Sequence, residues 1–122
     1  MEVLRKIQAE LKAPKNQRND FGNYNFRSCE DILEAVKPLL HKYECTLTMS
    51  DEIKELGGCL FVESTSTLAS GSMQKKVTAQ AGIDLRRKGM DVAQSFGSSS
   101  SYSRKYSLNG LFLIDDTKDA DS

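Results

Sequence analysis

The amino-acid sequence predicts an α+β fold in which a three-stranded antiparallel β-meander packs against helices. Apolar residues recur at intervals of three and four in the first 43 residues and again after residue 90, as in amphipathic helices. From Cys45 to Asp84 the interval changes to two, as in half-buried strands. With 122 residues, of which 39% are hydrophobic and 28% charged, the chain suits one globular domain over residues 1–122.

Two helices are predicted before residue 45. The first covers residues 2–13 and should end at Pro14. Its apolar face consists of Val3, Leu4, Ile7 and Leu11. Ser28, followed by Glu30 and Asp31, is a good N-cap for the second helix, which Pro38 should kink. The buried face of this helix is expected to contain Ile32, Leu33, Val36, Leu39, Leu40 and Tyr43.

Glycines divide the following segment into three strands. Gly57 and Gly58 mark the first turn and Gly71 marks the second. The third strand, within residues 73–84, has an inward face and an outward face. Facing inward we expect Val77, Ala79, Ala81 and Ile83, and facing outward Gln74, Lys76, Thr78 and Gln80.

A third helix is predicted from about residue 91 to residue 113, and it includes the stretch SFGSSSSYSRKYSLNGLF. Its apolar side follows positions that recur at threes and fours, namely Val92, Phe96, Ser99, Tyr102, Tyr106 and Leu113. Near the end of the helix, Leu108, Leu111 and Phe112 widen that side. Small serines would let this helix approach a sheet or a neighbouring subunit closely. Arg104 and Lys105 would then project from a well-anchored element. The alternative is that the serine run is a flexible linker.

The net charge is zero, but the charge is unevenly distributed. Residues 1–27 carry +3, residues 28–70 carry −5, residues 71–114 carry +5 and the acidic tail 115–122 carries −3. Basic segments far apart in sequence can form one patch, as expected of a nucleic-acid-binding protein. The loop predicted at residues 15–27 alternates cations with Phe21, Tyr24 and Phe26, which suits single strands better than duplexes. Alternatively, these aromatic side chains pin a surface loop to the core.

Most catalytic signatures are missing from the sequence. It contains no phosphate-binding loop, no H-E-x-x-H motif and no closely spaced Cys and His ligands. We interpret Cys29, Cys45 and Cys59 as reduced core cysteines of a cytosolic protein, and no apolar run is long enough to span a membrane. Lone His41 is not expected to bind metal or catalyse a reaction. One enzymatic alternative is a Mg²⁺-dependent nuclease that uses Asp84 with carboxylates of the tail, namely Asp115, Asp116, Asp119 and Asp121.

Two blocks of the sequence contain recognisable motifs. The first is FGNYNFRSCEDILEAVKPLL, residues 21–40, which fits an aromatic Y-x-[YF]-R-S segment entering a helix that ends in Pro-Leu-Leu. The second, residues 94–121, is similar to G-x-x-x-T-Y-x-R-R-Y-x-L followed by aspartates. Together they resemble the ERF (essential recombination function) family of phage single-strand annealing proteins. Ser101 replaces the usual threonine, and Lys105 replaces the second arginine, which removes a planar bidentate donor.

The resemblance implies a β-β-β-α core of the ring-forming annealing type, with no catalytic residue, metal or cofactor. It implies single-stranded DNA as ligand, a homo-oligomeric ring or filament, host or phage recombination and single-strand-binding proteins as partners, and the host cytoplasm as location. It also suggests that a C-terminal extension follows the acidic tail. The main DNA contacts are expected in a basic groove, from Arg27, Arg104 and Lys105. Further phosphate contacts are expected from Lys15, Arg18, Lys75, Lys76, Arg86 and Arg87. Tyr24, Tyr102 and Tyr106 either stack on bases or pack in the core. A purely structural oligomerisation module remains an alternative.

Overall fold

The computed structural model describes residues 1–86 and 88–114. Along the chain, the elements are α1 (Glu2–Glu10), β1 (Gln17–Asn19), β2 (Tyr24–Phe26), α2 (Cys29–Lys42), β3 (Thr46–Leu56), β4 (Cys59–Ser70), β5 (Met73–Gly82) and α3 (Val92–Phe112). The predicted α+β class is confirmed, since a three-stranded antiparallel sheet packs against helices.

The segment between α1 and α2 differs from the predicted loop. The first helix ends at Glu10 rather than at residue 13, and the chain then forms a short antiparallel hairpin from β1 and β2. Each strand has three residues, which is too short to leave a periodic signal in the sequence. Asn23 adopts a left-handed conformation (φ 53°), which asparagine tolerates better than most residues. The hairpin places its aromatic residues beside the start of α2.

The second helix begins as predicted. The Ser28 hydroxyl accepts a hydrogen bond from the Asp31 backbone N–H at 3.1 Å, and the Asp31 carboxylate accepts one from the Ser28 N–H at 2.8 Å. This reciprocal pair satisfies backbone donors that the helix itself leaves without partners. Ile32 and Val36 are fully buried, so the predicted inner face of the helix is confirmed.

The large sheet has the strand order β3-β4-β5, so the predicted meander is confirmed. Strand β4 alternates between buried and half-buried positions, and on β5 the side chains of Val77 and Ala79 are less exposed than those of Lys76 and Thr78. One face of the sheet therefore lies against the helices, and Lys76 is on the other face, as predicted.

Helix α3 lies on this sheet through its serines. Ser95, Ser99, Ser103 and Ser107 occur every four residues and are all buried. The hydroxyl of Ser103 bonds to that of Ser64, and Ser99 donates to the Gly82 carbonyl at 2.7 Å. A Cβ on Gly110 would lie 3.1 Å from a methyl carbon of Val77. Small residues thus bring helix and sheet into close contact, and the linker interpretation is wrong.

Part of the apolar side predicted for α3 is exposed. Val92, Tyr102, Tyr106 and Leu113 are exposed, whereas Ser99 and, near the end of the helix, Leu108, Leu111 and Phe112 are buried. The prediction followed hydrophobicity, whereas the close contact between helix and sheet requires small side chains. Both tyrosines are therefore surface residues.

The core lies between α1, α2, the end of α3 and the sheet. Its fully buried side chains include Ile7, Ile32, Val36, Leu68, Leu108, Leu111 and Phe112. Cys29 and Cys45 are buried there as predicted, but Cys59 is exposed at the start of β4. Within residues 1–86 and 88–114, the helices are too short or too polar to cross a lipid bilayer.

Candidate nucleic-acid interface

A cavity of about 470 Å³ lies between the β1–β2 hairpin, the start of α2 and helix α3. Six of the predicted site residues line it: Lys15, Tyr24, Arg27, Tyr102, Lys105 and Tyr106. They come from three separate parts of the chain, so the fold brings together cations and aromatic rings that the sequence keeps apart. Uncharged donors and acceptors complete the lining, including Asn19, Asn25, Ser98 and Ser101.

The cations of this cavity are held by contacts with the protein. The Arg27 Nε donates to the Ala13 carbonyl at 2.7 Å, which fixes its guanidinium against the chain that follows α1. Lys105 is only 9% exposed, and its Nζ lies 5.7 Å from the centre of the Phe26 ring. That distance permits a cation–π interaction. Positive charge is therefore fixed in place at the cavity wall.

The acid near these cations is committed to the helix cap. The pKa of Asp31 lies below its usual value, chiefly because the Ser28 backbone N–H donates to its carboxylate, with a smaller contribution from the charge of Lys105. Cys29 also lines the cavity, and burial raises the pKa of its thiol. This thiol is therefore a weak nucleophile at neutral pH.

Tyr102 and Tyr106 form an aromatic ridge on α3. They are 53% and 44% exposed, and their ring centres are 6.2 Å apart. Together with Ser98 they also border a second hollow of about 420 Å³, beside the end of β5. Tyr24 lies on the hairpin side of the cavity, where its hydroxyl accepts a hydrogen bond from Asn19 at 3.0 Å. The ridge therefore offers exposed aromatic surface next to fixed cations.

Arg104 lies on a different flank of α3 from Lys105. Its Nε donates to the two carboxylate oxygens of Asp51 at 3.1 and 3.2 Å. The same carboxylate accepts hydrogen bonds from Ser100 at 2.5 Å and Ser64 at 2.6 Å. Burial alone would raise the pKa of Asp51, but these hydrogen bonds outweigh it and lower that pKa. Arg104 thus takes part in a network that joins α3 to β3 and β4.

The other predicted cations lie outside the cavity. Lys75 and Lys76 are exposed neighbours on β5 and face opposite sides of the sheet. Arg86 lies in the turn after β5, 3.6 Å from the Asp84 carboxylate, and Arg18 on β1 bonds to Asn25. Arg87 lies outside the described residues. The structure therefore gathers half of the predicted set and distributes the remaining described residues elsewhere, where their DNA contacts stay predictions.

Residues of the nuclease alternative are only partly described. Asp84 is exposed and lies next to Arg86. Asp115, Asp116, Asp119 and Asp121 lie outside the described residues. Across residues 1–86 and 88–114, no group of three His, Cys, Asp or Glu side chains is arranged to hold a metal ion.

Comparison with known proteins places the chain in a family. The family model described as the ERF superfamily matches residues 1–122. The chain belongs to the ERF superfamily. A similar relative is the Essential recombination function protein of Salmonella phage P22, which is 53% identical over 119 residues. The match covers 98% of this ERF chain and 57% of that relative, so the chain spans little more than half of the relative's length. No solved structure matches this chain significantly.

Sequence reasoning missed several residues of this region of the ERF chain. Asp51 was not singled out, although it continues the alternation of Leu47 and Met49 and therefore faces α3. Asn19 and Asn25 resembled ordinary loop residues, and their place at the cavity depends on a hairpin that the sequence does not reveal. The alternation along β3 was a usable signal for Asp51, whereas the asparagines left none.

Proposed function

We propose that this chain binds single-stranded DNA and anneals complementary strands during phage homologous recombination, without nucleotide hydrolysis. The observation that carries the proposal is the cavity, where the cations Lys15, Arg27 and Lys105 lie beside Tyr24, Tyr102 and Tyr106. Membership of the ERF superfamily supports a recombination role.

The composition of the cavity favours a single strand over a duplex. Lys and Arg side chains bind phosphates of either form, but exposed aromatic rings can stack only on bases that are unpaired. Tyr102 and Tyr106 expose about half of their surface next to the fixed cations. A strand that lies along the cavity therefore finds partners for both its backbone and its bases.

Annealing follows from charge neutralisation. Two complementary strands repel each other through their phosphates, and a protein that neutralises one backbone lowers the barrier to pairing. One cavity of this size contacts few nucleotides, so we propose that a homo-oligomeric ring or filament extends the contact along the strand. Host or phage recombination and single-strand-binding proteins are the proposed partners, in the host cytoplasm.

An annealing assay tests this function. Two complementary oligonucleotides with a fluorescent donor and acceptor are mixed without ATP, and the rate of energy transfer is measured with and without the protein. We expect wild type to accelerate annealing. The triple variant Lys15→Gln, Arg27→Gln, Lys105→Gln should lose most of the acceleration.

The control removes the same charge outside the cavity. The variant Arg5→Gln, Lys12→Gln, Lys37→Gln should keep the acceleration, because these exposed cations lie outside the cavity and are not among the expected DNA contacts. Both variants must show wild-type circular dichroism. Equal loss in the two variants would refute the cavity as the binding site. Absence of acceleration by wild type, or shortening of the strands when Mg²⁺ is added, would refute annealing as the function.

A further inference from the structure

Phe21 lies at the tip of the β1–β2 hairpin with its side chain fully exposed. Its relative exposure of 106% exceeds that of every other large hydrophobic side chain among the described residues. The next most exposed is Leu56 at 75%, at the end of β3. A fully exposed aromatic ring at the hairpin tip contributes nothing to the core, so core packing does not explain why this position has a phenylalanine.

The hairpin tip has a defined shape without help from Phe21. The Gly22 backbone N–H donates to the side-chain oxygen of Asn19 at 3.0 Å. A Cβ on Gly22 would lie 2.2 Å from a ring carbon of Tyr24, so the Tyr24 ring packs directly against the turn. Arg18 bonds to the side chains of Asn23 and Asn25 across the hairpin. These contacts hold the chain on either side of Phe21 and present its ring to solvent.

The same hairpin forms a wall of the cationic cavity. Asn19, Tyr24, Asn25 and Phe26 all line that cavity, and Phe21 is only two residues from Asn19. We propose that Phe21 stacks on an unpaired base of the bound strand where that strand passes the hairpin tip. This inference rests on the proposed function, because it names a further contact with the same single-stranded ligand.

Stacking gives the proposal a measurable size. Replacing an aromatic side chain that stacks on a base by alanine raises Kd by roughly 5- to 150-fold. The contact is with a base and not with a phosphate, so the salt dependence of binding should not change. Phe21→Ala should therefore weaken single-strand affinity by this factor and leave the slope of log Kd against log salt at its wild-type value.

Tryptophan fluorescence tests the contact directly, because the chain contains no tryptophan. In Phe21→Trp the new indole is the sole tryptophan and retains an aromatic face. Its emission is followed while a short oligothymidylate is added, with binding measured in parallel by anisotropy of a labelled strand. The matched control is Leu56→Trp, which places a tryptophan at the exposed end of the β3–β4 hairpin.

We expect oligothymidylate to quench Phe21→Trp and to leave Leu56→Trp unchanged. An abasic strand of equal length should bind more weakly and leave both unquenched. Binding without quenching of Phe21→Trp, or an unchanged Kd for Phe21→Ala, would overturn the inference and leave the proposed function standing. A blue shift of Phe21→Trp on concentrating the protein without DNA would overturn it in favour of contact with another copy. Failure of wild type to bind any strand would overturn the proposed function itself.

Discussion

Replacing Ser107 by alanine tests how α3 is fixed to the sheet. The Ser107 hydroxyl donates to the Val77 carbonyl at 2.7 Å, so its only proton is used there. The contact of 2.6 Å between the hydroxyls of Ser66 and Ser107 must then be a hydrogen bond donated by Ser66. Both serines are fully buried, so water cannot replace either partner.

The expected cost follows from this chain of hydrogen bonds. Ser107→Ala leaves the Ser66 hydroxyl buried without an acceptor, which costs about 1–3 kcal/mol of the free energy of unfolding. Alanine returns roughly 0.5 kcal/mol through its higher helix propensity. The net loss should be about 0.5–2.5 kcal/mol. Ser66→Ala should cost about 1 kcal/mol, because Ser107 keeps its bond to Val77.

The double variant separates coupling from simple addition. With both hydroxyls removed, no donor is left buried without a partner, so the double variant should cost about 1 kcal/mol less than the sum of the single variants. Urea unfolding of the four proteins measures these free energies. Ser101→Ala calibrates the helix-propensity gain, because Ser101 is on the same helix but is only half-buried, at the cavity. Additive costs within about 0.3 kcal/mol would refute the coupled serine contact.

Three further predictions concern Asp51, the three cysteines and Gly22. Hydrogen bonds lower the pKa of Asp51, so its contribution to stability is complete above the unfolded pKa of about 3.9 and is lost as the pH falls through the lower folded pKa. In a plot of the free energy of unfolding against pH, Asp51→Asn should therefore show a flatter decline at acid pH than wild type, and parallel declines would contradict this. Ellman's reagent should modify Cys59 rapidly in the native protein and reach Cys29 and Cys45 only on unfolding, because these two are buried and burial raises the pKa of their thiols. Fast reaction of all three cysteines would contradict the burial of Cys29 and Cys45 in the core. Gly22→Ala should displace the Tyr24 ring from the turn and weaken single-strand binding severalfold, while changing the free energy of unfolding by less than about 1 kcal/mol. If anisotropy titrations give an unchanged Kd, Tyr24 does not contact the bound strand.

Much of the fold could be predicted because its signals are local. The capping pair of Ser28 and Asp31 and the alternation along β5 each depend on a few neighbouring residues. Over residues 92–107 of α3, the buried side could not be predicted from hydrophobicity, because serines lie inside and Tyr102 and Tyr106 lie outside. At the end of the helix, hydrophobicity did predict burial, since Leu108, Leu111 and Phe112 are inside. What decides that arrangement is the close approach of helix and sheet, which is a tertiary property.

The residue types of the candidate site could be predicted from the sequence, but not which of the predicted residues lie together in the fold. Arg104 and Lys105 are adjacent in sequence, yet neighbours on a helix point about 100° apart, so they lie on different flanks of α3. That separation was available from helix geometry. The meeting of Lys15 and Arg27 with Lys105 was not, because it depends on how the hairpin packs against α3.

The salt dependence of single-strand affinity tests the central claim most directly. Kd for a labelled oligothymidylate is measured from low to high salt for wild type and for two variants. The cavity variant lacks the charges of Lys15, Arg27 and Lys105, and the control variant lacks those of Arg5, Lys12 and Lys37. Each phosphate contact on a single strand contributes about 0.7 to the slope of log affinity against log salt, so the cavity variant should have a slope shallower by about 2. The control should keep the wild-type slope. Equal slopes for wild type and the cavity variant would contradict the claim that this cavity holds the strand.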